Sequence, residues 1–372
     1  MKREELRTPC YVIMESEMKK NLQILQEIRQ QSGCKILLAQ KAFSMYSCYP
    51  LIGEYLDGTT ASGLYEAKLG KECMGKENHI FSPAYREDEF EEVLANCEHL
   101  VFNSFSQLEK FGERAANAGK SVGIRVNPEC STQGEHAIYD PCAPGSRLGI
   151  LASEFPETLP SYVEGLHFHT LCEQNADALE ITLKAVEEKF GKWMKQLKWV
   201  NFGGGHHITR ADYDRELLIS CVRRIQDTYN VQVYLEPGEA VALNAGHLIT
   251  TVEDIVHNDI AVLDVSAACH MPDVIEMPYR PPLFDSGEAK EKEYTYLLGG
   301  PTCLAGDVIG SYSFDQPLKV GDRLTFGDMA IYTTVKNNTF NGMRLPDIVW
   351  ERESGECEIV KSFGYEDFKC RL

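Results

Sequence analysis

Between residues 35 and 236 one pattern recurs: a short apolar run rich in β-branched residues, then a longer segment with helical spacing. The candidate strands are KILLA (35–39), TTAS (59–62), HIFS (79–82), HLVFN (99–103), SVGIRVN (121–127), YVEGLHF (162–168), WVNF (199–202) and VYLE (233–236). Segments between them, such as 87–97 and 176–197, read as helices. Eight strands alternating with helices is the number that closes a parallel (β/α)₈ TIM barrel. Upstream, Met18, Leu22, Leu25 and Ile28 fall on one stripe of a helix over 15–32, which Gly33 stops.

After about residue 245 the helical spacing ends. LITTVEDIVH, IAVLDV, EYTYLL, DRLTF, AIYTTV and CEIVKSF are separated by Gly, Pro, Asn and Asp turns, the pattern of an antiparallel β domain. The expected division is a barrel over 9–245 and a β-sandwich-like domain over 246–372 that also takes in residues 1–8. The Pro-rich stretch 271–293 reads as a surface excursion with a mobile, charged second half.

Charge narrows the class of partner. Thirty-seven basic against 56 acidic side chains give a net charge of −19, which repels nucleic-acid backbones and anionic membranes and favours a small cationic substrate. No run approaches the roughly 20 apolar residues that span a bilayer, and the first residues lack a signal-peptide core. A cytoplasmic protein is expected. The 13 cysteines, odd in number and without CxxC spacing, read as reduced and mostly buried thiols rather than as a zinc framework.

In a (β/α)₈ barrel, chemistry collects where the strands end. Lys41 follows the first strand; His167 and His169 close the sixth; Gly203, Gly204 and Gly205 follow the seventh; Glu236 ends the eighth. Alone, each has a bland reading: a solvated loop lysine, core histidines, a flexible turn, a surface acid. On one rim they combine differently. A lysine whose pKa is lowered by burial is a nucleophilic amine, and consecutive glycines before a helix expose N–H groups that cradle phosphate. Together they point to pyridoxal 5′-phosphate (PLP) joined to Lys41, with Glu236 at the pyridine nitrogen and His169 against the ring face. The rival reading is a metal-dependent hydrolase, with His167 and His169 completed by His206, His207, Asp264 or His270. It leaves Lys41 and the glycines unexplained, and no metal is expected.

Longer strings carry a resemblance: TPCYVI (8–13), LLAQKAFS (37–44), DPCAPGSRLGI (140–150), EGLHFHTLCEQ (164–174), NFGGGHHIT (201–209), VYLEPGE (233–239), MPDVIEMPY (271–279) and GGPTCLAGD (299–307). Over almost its whole length the chain resembles the fold-type III PLP enzymes, the alanine racemase and ornithine/diaminopimelate decarboxylase superfamily. Within it the likeness is greatest to the branch acting on carboxynorspermidine and carboxyspermidine. The resemblance implies decarboxylation of such a carboxypolyamine by a homodimer with shared active sites. Alternatives are a decarboxylase of diaminopimelate, ornithine or arginine, and a non-catalytic PLP-binding protein.

Carried over by position, the resemblance makes Lys41 the Schiff-base lysine, His169 the stacking histidine, Gly203–Gly205 the phosphate loop and Glu236 the pyridine partner. Arg147 matches an arginine near the cofactor, Tyr332 a tyrosine that reaches the phosphate, and Cys303 a cysteine that a neighbouring subunit contributes for protonation. Two positions depart from ornithine-type relatives: Glu239 stands where they have a phosphate-binding arginine, and Leu304 where they have an amine-binding acid. Recognition of the substrate's amines is therefore expected from Glu239, Asp273 and Asp307, with Glu276 a further candidate.

Overall fold

The computed structural model describes residues 1–134 and 137–372. It divides into two compact units, Asn21–Val241 and Met1–Lys20 with Ala242–Leu372.

The first unit is a closed barrel of eight parallel strands. In chain order the strands of the whole protein begin with β1 (Cys10–Met14), which belongs to the second unit; the barrel is built from β2 (Lys35–Ala39), β3 (Gly58–Ala61), β4 (Glu77–Phe81), β5 (His99–Phe102) and β6 (Ser121–Asn127). A two-residue strand, β7 (Ile150–Leu151), hangs on β6, and β8 (Val163–His167), β9 (Trp199–Asn201) and β10 (Gln232–Leu235) complete the circuit. β5 pairs with β6, β6 with β8 and β10 with β2, so the barrel has no free edge. Helices such as Phe105–Asn117 and Arg215–Tyr229 return the chain. They begin where Ser104 accepts from the Gln107 N–H and Asp214 from the Leu217 N–H.

Side chains fill the barrel. Trp199 lies across β6 and β8 where Gly123 and Gly165 stand, and a Cβ at either would strike the indole. Leu37, Val101 and Tyr234 pack with it. The N-terminal end is closed by polar groups: Glu77 accepts from Lys35 Nζ at 2.6 Å, Tyr234 Oη at 2.7 Å and His79 Nε2 at 2.8 Å.

The second unit is a mostly antiparallel eight-stranded sheet. Its strands are β1, β11 (Gly246–Val256), β12 (Ile260–Leu263), β13 (Tyr294–Gly299), β14 (Val308–Phe314), β15 (Arg323–Phe326), β16 (Asp347–Glu351) and β17 (Cys357–Lys361). The order is β14–β13–β12–β11–β1–β16–β17, with β15 also on β11. The barrel boundary expected at residue 9 takes in β1, but β1 pairs antiparallel with β11 and parallel with β16, in the middle of the sheet. All five of its residues are buried, which is why CYVIM shows no alternation.

Three other expectations change. AIYTTV is not a strand: Tyr332 has φ +53°, outside the extended region, and Thr333–Lys336 turns helical behind it. The strands β14 and β16 fall in VIGSYSF and DIVWE, segments with no strand expectation. The charged half of 271–293 is tied down, because Arg280 lies 3.9 Å over the Tyr312 ring and donates to the Ser311 and Gly287 carbonyls, while Lys292 pairs with Asp315 at 2.7 Å.

Candidate active site

The four sequence features on the rim do stand at one end of the barrel. Lys41 lies two residues past β2, His169 two past β8, Gly203 two past β9 and Glu236 one past β10. Solvent reaches the Lys41 side chain, yet protein surrounds it closely enough for desolvation to dominate its ionisation. A side chain in that position lines a concavity. Desolvation and the Arg125 guanidinium lower its pKa; Glu236 and Glu239 act the other way and lose. The result is an amine more often neutral than an ordinary surface lysine.

Arg125 itself had no place in the sequence reading. It sits inside β6, 4% exposed, with its guanidinium 4.4 Å over the Phe81 ring and one N–H donated to the His169 carbonyl at 3.3 Å. Burial lowers its pKa to about 10, so it remains a cation. Arg147, the arginine taken from the resemblance, has an exposed side chain in the loop after β6, and its carbonyl accepts from Asn103 at 2.8 Å.

Glu236 is buried, and each of its oxygens accepts one hydrogen bond. Its Oε1 accepts from Asn201 Nδ2 at 2.8 Å and its Oε2 from His167 Nε2 at 3.1 Å. Desolvation works to raise its pKa, but the hydrogen bonds donated by His167 and Asn201 oppose this and hold the carboxyl below its ordinary value. We read the pair as carboxylate plus neutral imidazole, because burial lowers the His167 pKa as well. His167 thus supports Glu236 from behind, which also withdraws it from the metal set weighed above.

The glycine turn is required by close packing. Gly203 and Gly205 have φ of +70° and +81°, and a Cβ at either would meet the backbone of residues 168–172. At Gly204 a Cβ would come 2.5 Å from the Glu236 carbonyl oxygen. Not all of the turn is open to phosphate. The Gly203 N–H donates to Asn201 Oδ1 and the Gly204 N–H to His169 Nδ1, both at 2.8 Å. Among the described residues only the Gly205 N–H of the three is uncommitted, which corrects the expectation that all three cradle a phosphate. His169, desolvated and beside Lys41 and Arg125, is held well below the usual histidine pKa.

Glu239, one turn beyond Glu236, is 9% exposed and lies 3.2 Å from His207 Nε2. Glu173, in a left-handed conformation after β8, completes a cluster whose ligand atoms lie within 4.8 Å of one another. Glu77, His79 and His99 form a second such cluster at the opposite end of the barrel. There the two imidazoles stack at 4.0 Å and 10°, so their in-plane lone pairs run parallel and do not converge on one ion.

In the sheet unit, Cys303 is exposed, and its N–H donates to Asn341 Oδ1 at 2.8 Å. Asp307 is not available for substrate amines. It is 4% exposed, and its carboxylate accepts from Ser266 Oγ (2.9 Å), the Ala268 N–H (3.2 Å), Thr302 Oγ1 (2.6 Å) and the Thr302 N–H (3.3 Å). It clamps the GGPTC loop. Asp273 is half-buried and shares the Lys336 ammonium with Glu276, whose bond is 2.7 Å. Tyr332 precedes the Thr333–Lys336 helix. Asp264 accepts from Thr250 and Thr251, and His270 from the Ser266 N–H, so both serve the sheet.

A lysine with a lowered pKa in a concavity, an ionised buried carboxylate and a neutral histidine fixed to a glycine turn fit a phosphorylated pyridine aldehyde. Fold and site define a barrel enzyme of the PLP-dependent class. A family model described as "Pyridoxal-dependent decarboxylase, C-terminal sheet domain" matches residues 10–330. Carboxynorspermidine/carboxyspermidine decarboxylase of Campylobacter jejuni is 47% identical over 99% of both chains. Carboxyaminopropylagmatine decarboxylase of Synechocystis sp. is 41% identical over 99% of this chain and 96% of that one. The crystal structure of carboxynorspermidine decarboxylase from Campylobacter jejuni, complexed with norspermidine, superposes with a TM-score of 0.92 at 46% identity, covering 99% of this chain and 100% of that one. The chain belongs to the pyridoxal-dependent decarboxylases and, within them, to the carboxynorspermidine/carboxyspermidine decarboxylase family; PLP is its cofactor.

Proposed function

We propose that the chain removes the carboxylate of carboxynorspermidine or carboxyspermidine, giving carbon dioxide and norspermidine or spermidine. The observation that carries this reading is the full-length likeness, at 46% identity, to a decarboxylase solved with norspermidine bound. The net charge of −19 favours encounter with a polycationic substrate.

Bound PLP supplies a ring that accepts the electron pair of the breaking carbon–carboxylate bond. Lys41 is the residue that would hold the aldehyde, and its lowered pKa supports that role. Glu236, ionised at neutral pH, keeps a proton on the pyridine nitrogen. His169 would pack on the ring face; being neutral, it would add no charge against a protonated ring. The Gly205 N–H meets the phosphate from the glycine turn, with Tyr332 and Arg147 as further cofactor contacts by family likeness. Glu239, with Glu173 and His207 beside it, receives an ammonium of the polyamine arm.

Cys303 returns a proton to the α-carbon in a homodimer, where a second copy covers the loop. Exposure of Leu304 (44%) and Phe340 (50%) close to it supports a covered apolar surface. We place the reaction in the cytoplasm, where 13 free thiols stay reduced. Among the described residues no helix is long and apolar enough to cross a membrane.

Carbon dioxide release from carboxynorspermidine, carboxyspermidine, carboxyaminopropylagmatine and meso-diaminopimelate tests the proposal. The first two are expected to give the highest kcat/KM. A higher value for carboxyaminopropylagmatine would establish the second reading, which the 41% identity to the Synechocystis enzyme favours. Turnover of meso-diaminopimelate alone overturns both.

A further inference from the structure

One buried side chain joins Glu236 to the glycine turn. Asn201 ends β9 and is 0% exposed. Its Nδ2 donates to Glu236 Oε1 and its Oδ1 accepts from the Gly203 N–H, both at 2.8 Å. The orientation of the amide follows from its partners. A backbone N–H can only donate and an ionised carboxylate can only accept, so neither bond survives a flip of the amide. Backbone bonds run alongside: the Glu236 N–H donates to the Gly203 carbonyl at 2.8 Å, and the Phe168 N–H to the Asn201 carbonyl at 2.9 Å. The next glycine N–H fixes His169. Glu236, His169 and the glycine turn are thus parts of one hydrogen-bonded assembly, in which the Asn201 side chain bonds both Glu236 and the turn.

We propose that Asn201 is a positioning residue that locks the Glu236 carboxylate to the glycine turn through one amide, so that the ring nitrogen and the phosphate of the cofactor are gripped at a fixed separation. This rests on the reading that Glu236 meets the pyridine nitrogen. The choice of residue has a physical reason. A carboxylate that must face the ring needs donors behind it, the Gly203 N–H needs an acceptor, and an amide supplies both without charge. Water is excluded at 0% exposure, so each bond holds a defined geometry.

The variants separate the two halves of the link. Asn201→Leu is close in size and removes both bonds; Asn201→Ser is the substitute if the leucine does not fold. Asn201→Asp keeps the acceptor for Gly203 but meets Glu236 with a second carboxyl group. While that pair shares a proton, it mimics the amide donor; once the proton leaves, two carboxylates oppose each other.

The readout is the Kd of the apoprotein for 4-deoxypyridoxine 5′-phosphate, measured by fluorescence from pH 6 to 9. This probe has the ring nitrogen and phosphate but no aldehyde, so neither Lys41 chemistry nor turnover enters. Each variant is first shown to be folded by circular dichroism. Asn201→Leu is expected to weaken binding about tenfold or more at every pH, the size of a lost hydrogen bond to a charged group. Asn201→Asp is expected to approach wild type at pH 6 and to fall away from it as pH rises. Glu236→Gln is the control and is expected to weaken binding. If Glu236→Gln weakens binding while folded Asn201 variants match wild type at all pH values, the Asn201 link is overturned and the reading of Glu236 stands. If Glu236→Gln has no effect either, the reading of Glu236 itself fails.

Discussion

The Gly204 N–H donates to Nδ1 of His169 at 2.8 Å, and this bond selects the tautomer of the imidazole. A ring nitrogen that accepts carries no proton, so the neutral ring bears its hydrogen on Nε2. Desolvation and the nearby Lys41 and Arg125 charges keep the ring neutral. Nitrogen-15 spectra of the histidines should therefore show His169 as the Nε2–H form, without titration from pH 9 down to pH 5. A proton on Nδ1, or a midpoint near the ordinary value, contradicts the geometry.

Lys41 is expected to be the point of covalent attachment. Borohydride treatment of the holoenzyme should leave a pyridoxyl group on the peptide that contains residue 41, and Lys41→Ala should lose it together with at least about 10²-fold in activity. Recovery of the adduct on another lysine would remove the residue from its role.

Asp307 answers four donors, and its substitution should be felt as stability. In Asp307→Ala the Ser266, Ala268 and Thr302 donors lose their acceptor, at a cost of about 3 kcal/mol in denaturant unfolding. A fully stable variant with a raised KM would return Asp307 to substrate binding.

Glu239→Gln should raise the KM for the polyamine substrate more than it changes PLP affinity, since Glu239 lies beside His207 and Glu173, whereas Glu236 is bonded to His167 and Asn201. The opposite pattern would assign Glu239 to the cofactor.

His206 gives the protein an acid sensitivity whose sign can be worked out. It is 1% exposed, and burial lowers its pKa from 6.5 to about 4. The unfolded chain takes up this proton below pH 6.5 while the folded chain refuses it until about pH 4. Stability is therefore whole above pH 6.5 and drains away across that window, by about 2 kcal/mol at pH 5. Relative to wild type, His206→Gln should gain that amount between pH 7 and pH 5 in urea titrations. His99, His247 and His270 act in the same sense, so the variant recovers only its own share. A gap independent of pH would mean that His206 takes up its proton alike in the folded and unfolded chains.

What the sequence disclosed follows from how local each signal is. Most barrel strands were readable because they are apolar runs between turns, though β3 (GTTA) is not, and Lys41 and Glu236 because polar residues at the ends of such runs stand out. Arg125 was hidden inside SVGIRVN, where a strand pattern accounts for every residue without it. Asn201 and Asp307 draw their meaning from partners up to 41 residues away, which no local spacing encodes. AIYTTV has strand propensity throughout, but the left-handed Tyr332 overrides it.

The place of β1 in the middle of its sheet bears on how the protein is made. Its neighbours β11 and β16 end at residues 256 and 351, so the first strand to leave the ribosome waits for nearly the last before both its flanks are covered. Until then CYVIM is a naked apolar ribbon on a nascent chain, a target for chaperones during synthesis and for self-association in any product released early.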